Sequence, residues 1–376
     1  MKKLIACFIA CFVAIFGLTA CMNNKTTEGN AKKQLQIVCT NFPAYDFAKH
    51  IVGDKAKVTL LLKPGAEAHS YEPSPKDIQE IGKSDLFVYV GGDSDEWVDG
   101  VLDSIDKSHL KTFKMMDAVT LFEEEVGEGM EHEHHHDDKD KHHDEDEHDH
   151  DHDKDHHHDD KDKHEHEHEH EHEHEHEHEH EHEHEHAHEH GHEHEHEEEG
   201  PEMDEHVWTS PVNAIKIVKA LEENISSLDK DNADTYKKNA DAYIKKLEKL
   251  DKDFRDVISN SKRKEIIVGD RFPFLYFVKE YGLKYYAAFP GCSTNTEANP
   301  ATVAFLIDKV KEDKIPTVFH IEMSNEQMSK SIAEATGAKN ELLNAVHNIT
   351  DEQFKNNVGY IELMEHNVKV LKEALN

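Results

Sequence analysis

Histidine and glutamate alternate without a break over residues 164–186, inside a longer segment of the same character. Residues 131–200 hold 29 of the 36 histidines of the chain and a formal charge of −28 out of a total of −38. Neutral imidazole nitrogens bind divalent metal ions, and a dense negative charge attracts cations. The chemistry that this composition indicates is metal binding.

The same segment lacks the apolar residues that would let it fold by itself. Ordering a flexible chain around an ion costs on the order of 1 kcal/mol per residue. We therefore expect each site within the segment to be weaker than a rigid pocket elsewhere. One hypothesis is a scavenging loop that raises the local metal concentration beside a stronger site. The alternative is a tolerated low-complexity loop with incidental metal affinity.

Two histidines outside the segment occupy loops next to helix starts. His69, in GAEAHSYEPSPKD, precedes a helix start marked by Ser74 as N-cap and Pro75 as the first helical residue. His206, in DEHVWTSPVNA, precedes a second Ser-Pro pair that begins at Ser210. Open α/β sheets bind ligands in loops of this kind. Together the two residues indicate a site at the edge of one sheet.

Short β-rich runs and helical stretches alternate from residue 34 onward, and a second alternating series follows a long helical region over residues 211–260. This order predicts an α/β fold of two lobes, each a mainly parallel sheet flanked by helices, joined by one long helix. We divide the chain into a signal peptide (1–20), a tether (21–34), an N-terminal lobe (35–228) with a disordered insert (126–200), a linking helix (229–260) and a C-terminal lobe (261–376).

The first residues, MKKLIACFIACFVAIFGLTAC, have the layout of a secretory signal, because two lysines precede an apolar run that is short for a membrane span. The last four letters look like a bacterial lipobox, so we expect Cys21 to carry a lipid on the extracytoplasmic face of the cell membrane. Cys39 and Cys292 then remain in the mature chain. They form either a disulfide or two buried thiols.

The loops of His69 and His206, the His-rich insert and the long helix together resemble the metal-binding receptors of bacterial ABC importers, in particular their zinc branch. The resemblance covers nearly the whole mature chain apart from the insert. It implies a lipid-anchored, monomeric solute-binding protein that captures Zn²⁺ and delivers it to an ABC permease. It also implies a buried metal site between lobes, with His69 and His206 as ligands from the first lobe.

The second lobe departs from the family pattern in VGDRFPFLYFVKEYG. Gapless registration puts Arg271 at a ligand position, and arginine cannot bind a metal. We predict the adjacent Asp270 as the ligand, although it could instead pair with Arg271 or cap the next helix. The resemblance places a further ligand at His347, in ELLNAVHNITDEQF. Glu67 and His320 remain alternative ligands.

Three nitrogen donors and one carboxylate oxygen suit tetrahedral zinc, whereas manganese prefers more oxygen ligands. A manganese or nickel receptor, a surface adhesin and a zinc-storage lipoprotein remain alternatives. A metal-dependent hydrolase is disfavoured because the sequence contains no HExxH motif outside the His-rich segment 131–200 and no Gly-x-Ser-x-Gly motif, so we expect no enzyme activity. The negative charge disfavours nucleic-acid binding.

Overall fold

The computed structural model describes residues 34–130, 202–293 and 299–376. The predicted signal peptide, Cys21 and the His-Glu repeat lie outside these ranges. Within the ranges, no helix combines the length and the apolar character that crossing a membrane requires.

The first lobe contains a four-stranded parallel sheet with the strand order β2-β1-β3-β4. Its strands are β1 (Gln36–Cys39), β2 (Lys57–Leu60), β3 (Leu86–Tyr89) and β4 (Lys111–Lys114). Its helices are α1 (Phe42–Val52), α2 (Pro75–Lys83), α3 (Trp97–Ser104) and α4 (Pro211–Leu228). Strands that run in one direction need crossover helices, which explains the alternation in the sequence.

The second lobe repeats this plan with a parallel sheet of order β6-β5-β7-β8. Its strands are β5 (Glu265–Phe272), β6 (Lys284–Pro290), β7 (Thr317–His320) and β8 (Lys339–Leu342). The remaining helices are α5 (Ala233–Ser259), α6 (Leu275–Tyr281), α7 (Pro300–Glu312), α8 (Gln327–Thr336), α9 (Asp351–Lys355) and α10 (Tyr360–Ala374). The predicted fold class, two parallel α/β lobes, is confirmed.

Helix α5 is the long helix between the lobes, and it packs against both α1 of the first lobe and α10 of the second. Its apolar face joins a core cluster that includes Phe47, Trp208, Tyr243 and Tyr360. Tyr243 donates a hydrogen bond of 2.7 Å to the buried carboxylate of Asp46 on α1. A continuous core and a shared long helix hold the two lobes together.

Both predicted Ser-Pro helix starts are present. Ser74 forms a capping box with Asp77 at the start of α2, with Pro75 in the first turn. Ser210 accepts a hydrogen bond from the backbone N–H of Asn213 at the start of α4. These caps accept hydrogen bonds from backbone N–H groups that have no partner within the helix. They therefore fix the first helical turn after each histidine loop.

The end of β5 is irregular. The pairing of β5 with β6 changes register between Val268 and Arg271. Gly269 lies within this irregularity, and a Cβ atom there would come within 2.6 Å of the backbone of Ser329 on α8. Only glycine allows so close an approach of strand and helix. The contact of Gly269 with α8 therefore fixes the backbone from which Asp270 and Arg271 follow.

A short antiparallel pairing joins the chain segments on either side of the insert. Glu123 pairs with Met203 in an isolated β-bridge. The backbone N–H of Glu124 donates to the carbonyl of Glu202 at 2.9 Å, and that of Asp204 donates to Phe122 at 3.0 Å. The last residues before the insert and the first residues after it are therefore held side by side.

We expect Tyr243→Phe to lower the free energy of unfolding by about 1–3 kcal/mol, because Asp46 would lose a buried hydrogen-bond donor. Asp46 is buried, which raises the pKa of its carboxyl group and leaves little water to replace the lost hydrogen bond. Urea denaturation of the metal-free protein measures the change. Tyr281→Phe is the control, since its partner Asp251 also pairs with Arg255 and should lose less. Equal losses in the two variants would contradict the prediction.

Candidate metal centre

Three histidines from separate parts of the chain meet in one buried cluster. His69 lies in the loop between β2 and α2, His206 immediately before the 3₁₀ turn Val207–Thr209, and His347 in the loop after β8. One nitrogen of each ring lies within 4.8 Å of one nitrogen of each of the others. The three side chains are almost fully inaccessible to solvent.

The Nε2 atom of each of these histidines is buried and has no hydrogen-bond partner among the residues that the structure describes. A buried polar atom without a partner costs on the order of 1–3 kcal/mol, so three together are a substantial cost. The cost is removed when the three lone pairs bind one metal ion. This set of nitrogens fits a metal better than it fits a structural hydrogen-bond network.

A carboxylate contacts the other nitrogen, Nδ1, of every ring. The Nδ1–oxygen distance is 3.0 Å from His69 to Glu67 and 3.1 Å from His206 to Asp204. It is 3.3 Å from His347 to Glu322. A proton on Nδ1 that is shared with a carboxylate leaves the Nε2 lone pair free and turned into the cluster. Metal-binding histidines are typically oriented in this way.

Burial and nearby charges shift the pKa values of His347 and His206 in opposite directions. Burial lowers the pKa of His347 well below its ordinary value, and the charges of His206, His69 and Arg271 lower it further. Burial also acts to lower the pKa of His206, but Asp204 outweighs that effect and raises it. His347 is therefore neutral and able to bind a metal at neutral pH.

The backbone around His347 is held tightly. Glu322 accepts hydrogen bonds of 2.7 Å from the backbone N–H groups of both Ala345 and His347. Val346 between them has a φ of 63°, a conformation that is costly for a β-branched residue. Strained backbone of this kind persists only where its surroundings enforce it, and here Glu322 does so.

Hydrogen bonds between the two lobes surround the cluster. Trp208 Nε1 donates to the carbonyl of Ala345 at 2.8 Å, and its ring packs against those of His206 and His347. Asn348 donates from its side chain to the carbonyls of Lys63 and Ala66, at 2.7 and 2.8 Å. The first-lobe and second-lobe ligand loops are thus bonded directly to each other.

Asp270, the predicted carboxylate ligand, does not join the three rings in the described structure. Its Oδ1 accepts the backbone N–H of Arg271 at 2.8 Å, and its side chain lines a cleft open to solvent beside His69. His320, an alternative ligand, lies outside the cluster, with its Nδ1 3.0 Å from Asn340 Oδ1. The other alternative, Glu67, supports His69 through Nδ1.

Arg271, which the sequence resemblance aligned with a ligand position, contacts the first lobe from the second. Its Nη1 lies 3.0 Å from Glu67 Oε1 and 3.0 Å from His69 Nδ1. Burial acts to raise the pKa of Glu67, but the bond with His69 and the charge of Arg271 outweigh it and hold that pKa well below its ordinary range. Arg271 therefore keeps Glu67 ionised and joins the second lobe to the His69 loop.

Sequence reasoning missed most of the supporting carboxylates. Glu67 precedes His69 by two positions, and Asp204 precedes His206 by two, so a repeated carboxylate-x-histidine spacing was available as a signal. Glu322 lies 25 residues before His347, and no local pattern joins them.

Within the described ranges of the chain, Cys39 and Cys292 form no disulfide and are both free thiols. Cys39 is buried in β1, whereas Cys292 follows β6 and is near acidic groups. Ligand atoms of Glu205, His206 and Cys292 lie within 4.8 Å of one another, as do those of Glu124, Glu202 and Cys292. Burial, together with the charges of Glu205 and Glu124, raises the pKa of Cys292, so the sulfur is protonated at neutral pH.

Two parallel α/β lobes on a long shared helix, with three buried histidines converging from both lobes, are the architecture of two-lobe solute-binding proteins. The profile of the family described as "ZnuA: Zinc-uptake complex component A periplasmic" matches residues 37–374. The chain belongs to this family, as the sequence resemblance predicted.

Named relatives agree with this assignment. The zinc-binding lipoprotein AdcA of Streptococcus pneumoniae is 33% identical over 383 residues, which cover 100% of this chain and 61% of AdcA. The high-affinity zinc uptake system protein ZnuA of Bacillus subtilis is 32% identical over 365 residues, which cover 96% of this chain and 95% of that protein. The chain thus spans about 61% of the length of AdcA and nearly all of the Bacillus protein.

A solved structure shares the fold. The Zn(II)-bound ZnuA-like domain of Streptococcus pneumoniae AdcA superposes with a TM-score of 0.63 at 29% identity, covering 91% of this chain and 99% of that domain.

We expect Glu322→Gln to weaken zinc binding by roughly 10–100-fold, because glutamine cannot accept three N–H donors and would loosen His347. Competition with a chromophoric chelator measures the affinity of the tightest site. Glu334→Gln, on the exposed face of α8, is the control and should leave the affinity unchanged. An unaltered affinity in Glu322→Gln would show that the carboxylate does not support the ligand.

Proposed function

We propose that this protein is an extracytoplasmic receptor that binds Zn²⁺ between its lobes and delivers it to an ABC permease. The observation that carries the proposal is the convergence of three buried, unpartnered Nε2 atoms, from His69, His206 and His347. Nitrogen-rich sites favour zinc over manganese, which prefers oxygen ligands. Membership of the zinc-uptake family and the zinc-bound state of a similar domain support the same metal.

The site has the properties that tight binding requires. Its ligands are held in place before the ion arrives, since each ring is fixed by its own carboxylate and the loops are bonded across the lobes. Little ordering cost therefore remains for the binding step. Asp270, the carboxylate ligand predicted from the sequence, could bind the ion only if it turned from the backbone of Arg271 into the cluster.

Release would require the lobes or their loops to separate. The hydrogen bonds of Trp208 and Asn348 and the contact of Arg271 with Glu67 all cross between the lobes. Helix α5 packs on both lobes, which favours a small motion over a wide hinge opening. Docking on the permease would supply the interactions that replace these contacts.

The remaining parts of the proposal concern segments outside the described residues. Lipid attachment at Cys21 would hold the receptor at the outer face of the membrane, close to its permease. The His-rich insert would act as a reservoir of many weaker sites, whose negative charge concentrates cations within a Debye length of about 8 Å.

We expect the triple variant of His69, His206 and His347 to alanine to lose the tightest zinc-binding step while the weaker steps remain. Calorimetric titration of the full-length protein separates these steps by affinity. Removal of residues 131–199 is the matched change: it should abolish the weak steps and preserve the tight one. If the triple variant kept the tightest step, the pocket would not be the receptor site and the zinc-storage alternative would be favoured.

A separate measurement tests the reservoir. We expect zinc uptake by cells at limiting free metal to fall when residues 131–199 are removed, because fewer ions are held near the pocket. Equal uptake with and without the segment would exclude a scavenging role and leave the receptor function intact.

A further inference from the structure

Glu205 is a buried carboxylate at the cluster that the sequence did not suggest as a ligand. It is the residue immediately before His206, and it is 1% exposed. Its Oε1 lies 3.7 Å from the unpartnered Nε2 of His69. A carboxylate oxygen of Glu205 also lies within 4.8 Å of a ring nitrogen of His206.

The hydrogen bonds of Glu205 leave its charge without a cationic partner. The backbone N–H of Ser94 donates to Oε2 at 2.9 Å, and the hydroxyl of Ser94 donates to Oε1. Among the described residues, its one ion-pair contact is with His69, whose ring is neutral when its Nε2 binds a metal. A buried anion costs several kcal/mol unless a counter-charge is near. A divalent ion in the cluster would supply that charge.

Distances also favour Glu205 over Asp270. Zinc bonds of about 2.0–2.2 Å in a tetrahedron place neighbouring ligand atoms about 3.3–3.6 Å apart. The 3.7 Å between Glu205 Oε1 and His69 Nε2 is close to that spacing. Asp270 instead bonds to the backbone of Arg271 and lines the open cleft.

We propose that Glu205 Oε1 is the fourth zinc ligand and completes a set of three nitrogens and one oxygen. This inference rests on the proposed zinc site and deepens it. Ser94 contacts both carboxylate oxygens, with its backbone N–H at Oε2 and its hydroxyl at Oε1, and so fixes the orientation of the carboxylate. The triplet Asp204-Glu205-His206 then supplies, in sequence order, a support for the imidazole, an oxygen ligand and a nitrogen ligand.

The test uses the full-length protein and the variant Glu205→Gln, which keeps the shape of the side chain and removes its charge. We expect the affinity of the tightest zinc site to fall about tenfold or more, at least as much as for loss of a supporting carboxylate. Chelator competition gives the affinity. The visible absorption of the Co²⁺-loaded protein reports the ligand set, and it should change in Glu205→Gln.

Asp270→Asn tests the rival carboxylate that the sequence predicted, and Cys292→Ser is the matched control at a neighbouring potential ligand that the proposal does not use. Both should keep the affinity within about twofold and leave the Co²⁺ spectrum unchanged. Ser94→Ala is a second variant that leaves Glu205 intact. It should weaken binding less than Glu205→Gln does, because it removes only the hydroxyl that orients the carboxylate.

Two outcomes would overturn the assignment. One is wild-type affinity and an unchanged Co²⁺ spectrum in Glu205→Gln. The other is an affinity loss and spectral change in Asp270→Asn while Glu205→Gln and Ser94→Ala behave as wild type. Either result leaves the zinc receptor in place, because that function fails only when the three histidines can be replaced without loss of the tightest site.

Discussion

Three imidazole nitrogens lie close together inside the protein, none with a hydrogen-bond partner in the described part of the chain, and the surrounding contacts hold them there. An arrangement of this kind is unfavourable by itself, because water has been excluded from lone pairs that would otherwise bind it. Its cost is offset by the core between the lobes and by the carboxylates of Glu67, Asp204 and Glu322 at the opposite ring nitrogens. Under the proposed function, the free-energy cost of holding the three rings without the ion would be recovered when the ion binds, and preorganisation of this kind favours high affinity.

The fold places this cluster where two parallel sheets present their carboxyl ends to each other. His69 follows β2, and His347 follows β8, so neither lobe contains a complete site. The contacts that join the lobes are also contacts of the ligand loops, as for Trp208 with Ala345. Closure of the lobes and assembly of the site are therefore the same event. Helix α5 packs on both lobes, which favours small displacements of these loops over a wide opening of the lobes.

Much of this could be read from the sequence, and the failures have identifiable causes. Alternating strands and helices gave the two parallel lobes, and the Ser-Pro pairs marked the helices beside His69 and His206. The region of Asp270 and Arg271 resisted prediction because β5 changes register there, so counting along the strand could not establish which side chain faces the cluster. The role of Glu322 depends on a contact across 25 residues, which no local spacing reveals. Arg271 was recognised as unable to bind a metal, but its contact with Glu67 depends on how the lobes meet.

Because Glu123 pairs with Met203, the geometry of the pocket does not depend on the length of the repeat between them. Since both ends of the insert are fastened at the same place, dipeptides can be gained or lost between them without moving His206. The entropic cost of closing a longer loop grows only with the logarithm of its length. Under the proposed function, a change in the length of the insert would change the number of weak metal sites and leave the position of the central pocket as it is.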